Sequence, residues 1–290
     1  MFVSHILVLN SGKQKAYNLG PRPRITRFER KGEVTMDLKG NTILITGGGS
    51  GIGRGLAEAF YQLGNTVIIS GRSRERLEET VAANPGVEAM TLDVADPADI
   101  QRFTDELVAK HPGVNVLLNN AGIMGWESFE GGNGTQAAED TITTNLLGPI
   151  RLIDALLPTL RKQDKSVVMN VTSGLAFLPL AIAPTYSATK AALHSYTESM
   201  RYQMRGANIE VIELAPPYVQ THLTGESQAS DPRAMPLDAF IAETMQILES
   251  EPESGEVIVG HCAPLRVAVE RGAYMATFEG LIVAMAVRGM

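Results

Sequence analysis

The chain has 290 residues, of which 44% are hydrophobic and 20% charged, with a net charge of −7. This composition fits a globular protein with a sizeable core and leaves no electrostatic footprint for nucleic acid. The single cysteine, Cys262, excludes an internal disulfide and fits a reducing, cytoplasmic setting, and no apolar run reaches the ~18 residues of a membrane span.

Residues 1–35 stand apart. They hold seven Lys/Arg against two Asp/Glu, and taking that +5 from −7 leaves −12 on the remainder. Pro21-Arg22-Pro23-Arg24 opposes regular structure, because proline restricts both itself and its predecessor. The arm reads as a disordered basic extension. Translated sequence upstream of the natural start and a targeting arm are the alternatives. The folded domain is expected over 36–262, with 263–290 a tail, helical in part, beside the substrate pocket or an interface.

Apolar, β-rich runs predict strands at Thr42–Thr46, Thr66–Ser70, Val87–Leu92, Asn115–Leu118, Val167–Val171, Ile209–Leu214 and Glu256–Val259. Between them, helical patterns run over Gly53–Leu63, Arg74–Ala83, Pro97–Lys110, Thr135–Arg161, Tyr186–Arg205 and Leu237–Leu248. Nearly continuous apolar strands are those buried on both faces of a parallel sheet. The alternation predicts one α/β domain, a doubly wound Rossmann-type parallel sheet of about seven strands with helices on both faces. Gly131-Gly132-Asn133-Gly134 reads as a loop.

The first strand ends in Thr46-Gly47-Gly48-Gly49-Ser50-Gly51-Ile52-Gly53, directly before a helix. Strand, glycine-rich turn and helix form the context of a dinucleotide site. The glycines allow close backbone approach to a pyrophosphate, and the helix N-terminus offers free N–H groups and a positive dipole end. About twenty residues on, NAD sites carry an acidic residue for the ribose 2′-hydroxyl. Here Gly71 occupies that place and Arg72 follows. A guanidinium suits a 2′-phosphate, which favours NADP(H) over NAD(H).

Tyr186 and Lys190 stand four apart in Tyr186-Ser187-Ala188-Thr189-Lys190, on one helix face, with Ser173 upstream. A free tyrosine titrates near pH ~10. An ammonium ~4 Å away, at an effective dielectric of ~20, contributes roughly 4 kcal/mol. That is enough to lower the phenol by about three pH units and make it a general acid/base near neutrality. His111 and His194 show no metal-ligand spacing, and no metal site is expected. Glu210 and Glu213, at odd spacing on a strand, face opposite sides. Trp126 reads as a pocket wall or core residue, and Cys262 as a small buried one.

Taken together these residues resemble the short-chain dehydrogenase/reductase family in its compact form. The spacing Gly47-x-x-x-Gly51-x-Gly53, Leu92-Asp93-Val94, Asn119-Asn120-Ala121-Gly122, Asn145, Ser173, Tyr186 and Lys190 follow the family's motifs in order, from about Leu38 to Gly260. A looser likeness, in Pro236-Leu237-Asp238-Ala239-Phe240 and Leu265-Arg266, points to a bacterial branch named for an oxidoreductase encoded beside D-alanylation genes. The resemblance implies a catalytic set of Asn145, Ser173, Tyr186 and Lys190. It implies cofactor contacts from Gly47, Gly49, Ser50, Gly51, Ile52, Gly53, Arg72, Asp93, Val94, Asn120, Ala121, Gly122, Tyr186, Lys190, Pro216, Val219 and Thr221. One departure is Pro216-Pro217, where the family usually has Pro-Gly; the second proline stiffens the segment and removes an N–H.

The implied reaction is hydride transfer between nicotinamide and a carbonyl or secondary alcohol. Tyr186 donates the proton, Lys190 lowers its pKa and holds the ribose, and Ser173 binds the carbonyl oxygen. Asn145 holds a water that links Lys190 to solvent. Segments Ile123–Gly134, Leu175–Thr185 and Tyr218–Met235 are expected to wall the substrate. Leu175, Phe177, Leu178 and Leu180 make the entrance apolar, and Tyr218–Met235 has the composition of a mobile lid. The substrate is then a small, moderately apolar carbonyl compound or alcohol. An idle NADP-binding sensor or scaffold, and an epimerase or dehydratase on the same fold, are the rivals. By analogy with the family, the long helices pair across a two-fold axis in a homodimer or homotetramer.

Overall fold

The computed structural model describes residues 36–130, 134–250 and 255–286. The basic arm, and positions 131–133 of the glycine loop, lie outside the described residues. Seven strands form one parallel sheet: β1 (Thr42–Thr46), β2 (Thr66–Gly71), β3 (Glu88–Thr91), β4 (Val116–Asn119), β5 (Ser166–Val171), β6 (Ile209–Leu214) and β7 (Glu256–Val257). Their order is β3-β2-β1-β4-β5-β6-β7.

Side chains alternate across the sheet. Ile43 and Ile45 of β1 face one layer, packed with Leu56 and Phe60 of α1 (Gly51–Gln62), Leu77 of α2 (Arg74–Ala83) and Phe240 of α8 (Leu237–Glu249). Leu44 faces the other, with Phe103 of α3 (Pro97–Lys110), Leu152 and Leu156 of α5 (Gly148–Leu160) and Met200 of α6 (Pro184–Gln203). Helices therefore cover both faces, which is why the strands read as unbroken apolar runs.

Strand β1 pairs with β2 on one side and β4 on the other. The chain reverses its direction of winding there, and in open α/β sheets that point opens a crevice beyond the carboxyl ends of the strands. The glycine turn after β1 and Asn120 after β4 border it.

The helix expected over Thr135–Arg161 is not continuous. It runs as α4 (Thr135–Ile142), a π-helical segment (Thr143–Leu147) and α5. Pro149 has no N–H for the Asn145 carbonyl, so the i to i+4 ladder cannot pass that position. A π segment absorbs the fault, and such bulges concentrate at functional sites.

Two four-residue helices, α7 (Glu226–Ala229) and α9 (Ala263–Arg266), and a longer one, α10 (Tyr274–Ala286), lie among the described residues after β6 with α8. Segment Tyr218–Met235, expected as a mobile lid, is hydrogen-bonded within itself. Met235 N donates to Tyr218 O, Gln220 N to Met235 O, and the buried Gln228 amide to Val219 O. No described helix is long and apolar enough to cross a membrane.

Candidate active site

The glycine turn is held by Asn120 and Thr46. Asn120 Nδ2 donates to Thr46 O at 2.9 Å, while Thr46 Oγ1 accepts from Asn120 N and Ala121 N, both at 3.0 Å. Gly47 and Gly51 adopt φ of +70° and +52°, a region that disfavours side chains. A Cβ on Gly53 would lie 2.4 Å from both Asn120 Nδ2 and Gly47 O. Ser50 begins α1 without a side-chain cap, leaving the first-turn N–H groups to the crevice. Ile52 packs on the core, and Gly49 lies against Arg76 at the start of α2. Thr221 approaches Gly51 closely enough that a Cβ there would sit 3.3 Å from its methyl.

Arg72 is exposed just past β2, and its side chain has no hydrogen-bond or ion-pair partner among the described residues. Arg74, by contrast, pairs with Glu78 at 2.7 Å. Asp93 is half-buried after β3, its carboxylate accepting from Ala95 N, and Val94 packs against the start of α5 at Gly148. Pro216 O accepts from Gly174 N at 2.8 Å, so the Pro216-Pro217 pair still docks onto the segment after β5.

Asn145, Ser173, Tyr186 and Lys190 are all buried near the ends of β4 and β5. Lys190 Nζ donates to Val171 O at 2.8 Å and lies 5.6 Å from the Tyr186 ring centroid. Gly122 sits beside them: a Cβ there would be 3.2 Å from Asn145 Oδ1 and 3.7 Å from Lys190 Nζ. The turn, Arg72 and Asp93 occupy the β1–β2–β3 half of the crevice, the four buried residues the β4–β5–β6 half, and Asn120–Gly122 joins them.

One expectation is corrected here. Lys190 does not lower the resting phenol. Burial pushes Tyr186 up to about 12, with its hydrogen bond to Ser173 pulling the other way, and burial pushes Lys190 down to about 8. Each charged form would lose its hydration, and burial is the largest cause for both groups. The Asn145 side chain is also spoken for. It accepts from Ile123 N and donates to Ile123 O, both at 2.8 Å, and to Thr189 Oγ1 at 3.3 Å, so it clamps the loop after β4 to α6.

The apolar wall differs from expectation as well. Leu180, Ala183 and Tyr186 cluster with Met124, Leu175, Ile182 and, from α10, Leu281. Leu178 is fully buried, and Phe177 turns toward His194 and Arg266. Trp126 is 41% exposed, on the rim and not in the core.

Residues that the sequence reading passed over anchor the site from behind. Glu127 caps α6, accepting from Thr185 N at 3.0 Å and Thr185 Oγ1 at 2.6 Å. The half-buried His194 and the fully buried Glu213 form an ion pair at 2.8 Å, with Glu256 close by. The Glu127 cap had no local signal. His194 had one, standing one turn beyond Lys190 on the face that carries Tyr186.

The doubly wound sheet with this crevice defines an enzyme of the dehydrogenase/reductase class. Residues 41–232 match the short chain dehydrogenase family, and the chain belongs to it. It is 43% identical over 194 residues to "Uncharacterized oxidoreductase DltE" of Bacillus subtilis (strain 168), covering 67% of this chain and 77% of that one. That likeness places it in the same bacterial branch. A short-chain dehydrogenase from Streptomyces avermitilis has a TM-score of 0.72 at 28% identity, over 85% of this chain and 98% of that one. One from Burkholderia cenocepacia J2315, in complex with NADP, has a TM-score of 0.72 at 24% identity, over 84% and 99%.

The buried ammonium gives a stability test. Lys190 titrates below its unfolded value, so between about pH 8 and pH 10 the unfolded chain binds more protons and folding strengthens as pH rises. Urea unfolding from about pH 7.5 to pH 9.5 should move in favour of wild type over Lys190→Met by about 2 kcal/mol.

Proposed function

We propose that the chain is an NADP(H)-dependent oxidoreductase acting on a carbonyl or secondary alcohol of a small, moderately apolar substrate, with Tyr186 as the proton-transferring group. The observation that carries this is the buried juxtaposition of Tyr186, Ser173 and Lys190 against the apolar cluster of Met124, Leu175, Leu180, Ile182 and Leu281.

The crevice fits a dinucleotide. Gly47 and Gly53 leave no room for side chains, and the uncapped α1 N-terminus offers N–H groups to phosphate. Gly49, Ser50, Gly51 and Ile52 complete that turn, with Asp93, Val94, Asn120, Ala121 and Gly122 along the strand ends. Pro216, Val219 and Thr221 would flank the nicotinamide, and Lys190 the ribose. Arg72, without a partner among the described residues and with Gly71 in place of a carboxylate at the end of β2, supports a 2′-phosphate and hence NADP(H). Solved short-chain dehydrogenases of the same fold are complexes with NAD as well as with NADP. When bound, the nicotinamide supplies or accepts the hydride.

The remaining work falls to side chains. In the reducing direction, charge builds on the carbonyl oxygen. With its pKa at about 12, Tyr186 keeps its proton at neutral pH and donates it from Oη to that oxygen. Ser173 hydrogen-bonds the same oxygen and fixes its position. Lys190, largely protonated below its value of about 8, stabilises the phenolate as it forms and not the resting phenol. The apolar cluster excludes water and strengthens each of these interactions.

The groove between α5 and α6, about 390 Å³ and lined in part by Ile150, Ile153, Leu157, Tyr196 and Met200, supports self-association across these helices. Static light scattering should return a dimer or tetramer, and Leu157→Lys should shift it to monomer.

Tyr186→Phe should lower carbonyl reduction by at least about a thousandfold while NADPH binding, followed by fluorescence, stays within about twofold. Unchanged turnover would overturn the mechanism. Arg72→Ala should weaken NADPH about tenfold and leave NADH nearly unaffected. An equal effect on both would refute the 2′-phosphate assignment.

A further inference from the structure

Behind Ser173 lies a charged cluster that the reaction as drawn does not use. Glu213 of β6 is fully buried. A carboxylate held out of water needs a cation and hydrogen-bond donors. It has both: Oε1 accepts from Thr172 Oγ1 at 2.7 Å, and His194 Nδ1 lies 3.0 and 2.8 Å from the two oxygens. Glu256 is the register partner of Glu213 on β7, and the donor atoms of His194, Glu213 and Glu256 all lie within 4.8 Å of one another. The second positive charge here is a guanidinium: Arg266 of α9 bonds Glu256 at 2.9 and 3.2 Å and stacks over Phe177. Phe177 in turn meets the His194 ring edge-on at 5.0 Å between centroids.

We propose that His194 and Glu213 are positioning residues: their ion pair, acting through the Thr172 hydroxyl, holds Ser173 at the distance from Tyr186 that proton transfer requires. This rests on Ser173 binding the substrate oxygen, as proposed above.

Thr172 is the residue before Ser173. Its N–H donates to Leu214 O and the N–H of Gly174 to Pro216 O, each at 2.8 Å, so the backbone fixes this segment along β6. The Thr172–Glu213 bond adds a side-chain tie that reaches through His194 to α6. Tyr186, Lys190 and His194 repeat every four residues on α6 and so share one face. Lys190 grips Val171 O, and His194 grips Glu213. Together they set the spacing between the helix that carries the phenol and the strand end that carries the serine.

The tie depends on the imidazole proton. The groups facing His194 are Glu198 from its own helix at 3.6 Å, Glu213 from β6, Glu256 from β7 and Arg266 from α9 by way of Glu256. Cys262 adds no charge, because burial chiefly, together with Glu213, pushes its thiol up to about 12. With His194 protonated, the core of two carboxylates and two cations is neutral. The Glu213 hydrogen bond raises the His194 pKa against the effect of burial, and the nearby carboxylates add to the rise. The contribution is therefore complete below the ordinary histidine value of ~6.5 and is lost as pH rises through the higher folded value.

The test uses the full chain, with NMR titration of its five histidines and of the Ser173 and Leu175 amides. His194→Gln assigns the resonance. The imidazole should titrate above ~6.5, and both amides should follow the same midpoint. Thr172→Val should leave the imidazole titrating but uncouple the amides, and should lower kcat about tenfold with NADPH affinity unchanged within about twofold. Glu213→Gln keeps an acceptor for Thr172 without a charge. It removes the ion pair, and should therefore lower kcat severalfold near neutrality and uncouple both amides from the imidazole midpoint. Should Glu213→Gln fail to fold, Thr172→Val still decides. Amides that ignore the imidazole, or wild-type kcat in Thr172→Val, would overturn the proposal. A wild type inert toward carbonyl substrates, with the amides still coupled, would sink the reaction and not the tie. Turnover with uncoupled amides would sink the tie and not the reaction.

Discussion

Lys190 lies almost wholly out of water on α6, and its ammonium is held by the Val171 carbonyl at 2.8 Å. A buried cation with one fixed acceptor is costly unless its surroundings are fixed too. That constraint joins the long helix to the carboxyl end of β5 and orders what lies around it. Tyr186, one turn earlier, is carried to the same strand end. Gly122 borders the same group, where a Cβ would stand 3.2 Å from Asn145 Oδ1 and 3.7 Å from Lys190 Nζ. The fold thus brings a phenol, an ammonium and a serine together through one helix and one strand end, with no loop needed to assemble them.

The break in the helix after β4 serves the same arrangement. Because Pro149 denies Asn145 its usual helical donor, the chain widens into a π turn there. Within that turn the Asn145 side-chain amide bonds both backbone groups of Ile123. The loop bearing Asn120, Ala121 and Gly122 is clamped at both ends, by Thr46 on the β1 side and Asn145 on the α5 side.

Much of this was legible in the residues because it is local. The glycine turn announces itself, since positive φ and close contact at Gly47, Gly51 and Gly53 exclude other residues. The strands announce themselves through burial on both faces. The helix break was legible in principle at Gly148-Pro149, but the strong apolar period of Leu146, Ile150, Ile153 and Leu157 masked it. What could not be read was set by partners far along the chain. Phe177 and Leu178 look like a pocket mouth in sequence. Phe177 instead meets Arg266 of α9, and Leu178 is drawn into the interior. Glu213 looks like one of two acids on opposite faces of a strand, and only the sheet order sets it beside Glu256 and beneath His194.

The same distinction governs the electrostatics. Spacing alone places an ammonium beside a phenol and so favours an acidic tyrosine. Spacing carries no information about burial, and burial reverses the sign for the resting phenol. The reversal suits a proton donor. A phenol held neutral loses nothing before the reaction begins. The ammonium's field acts fully only as the proton leaves and a phenolate forms beside it. An interaction that strengthens between ground state and transition state accelerates the step, whereas one already satisfied at rest does not. The environment that keeps Tyr186 protonated is thus also the one in which Lys190 has most to give when the proton moves.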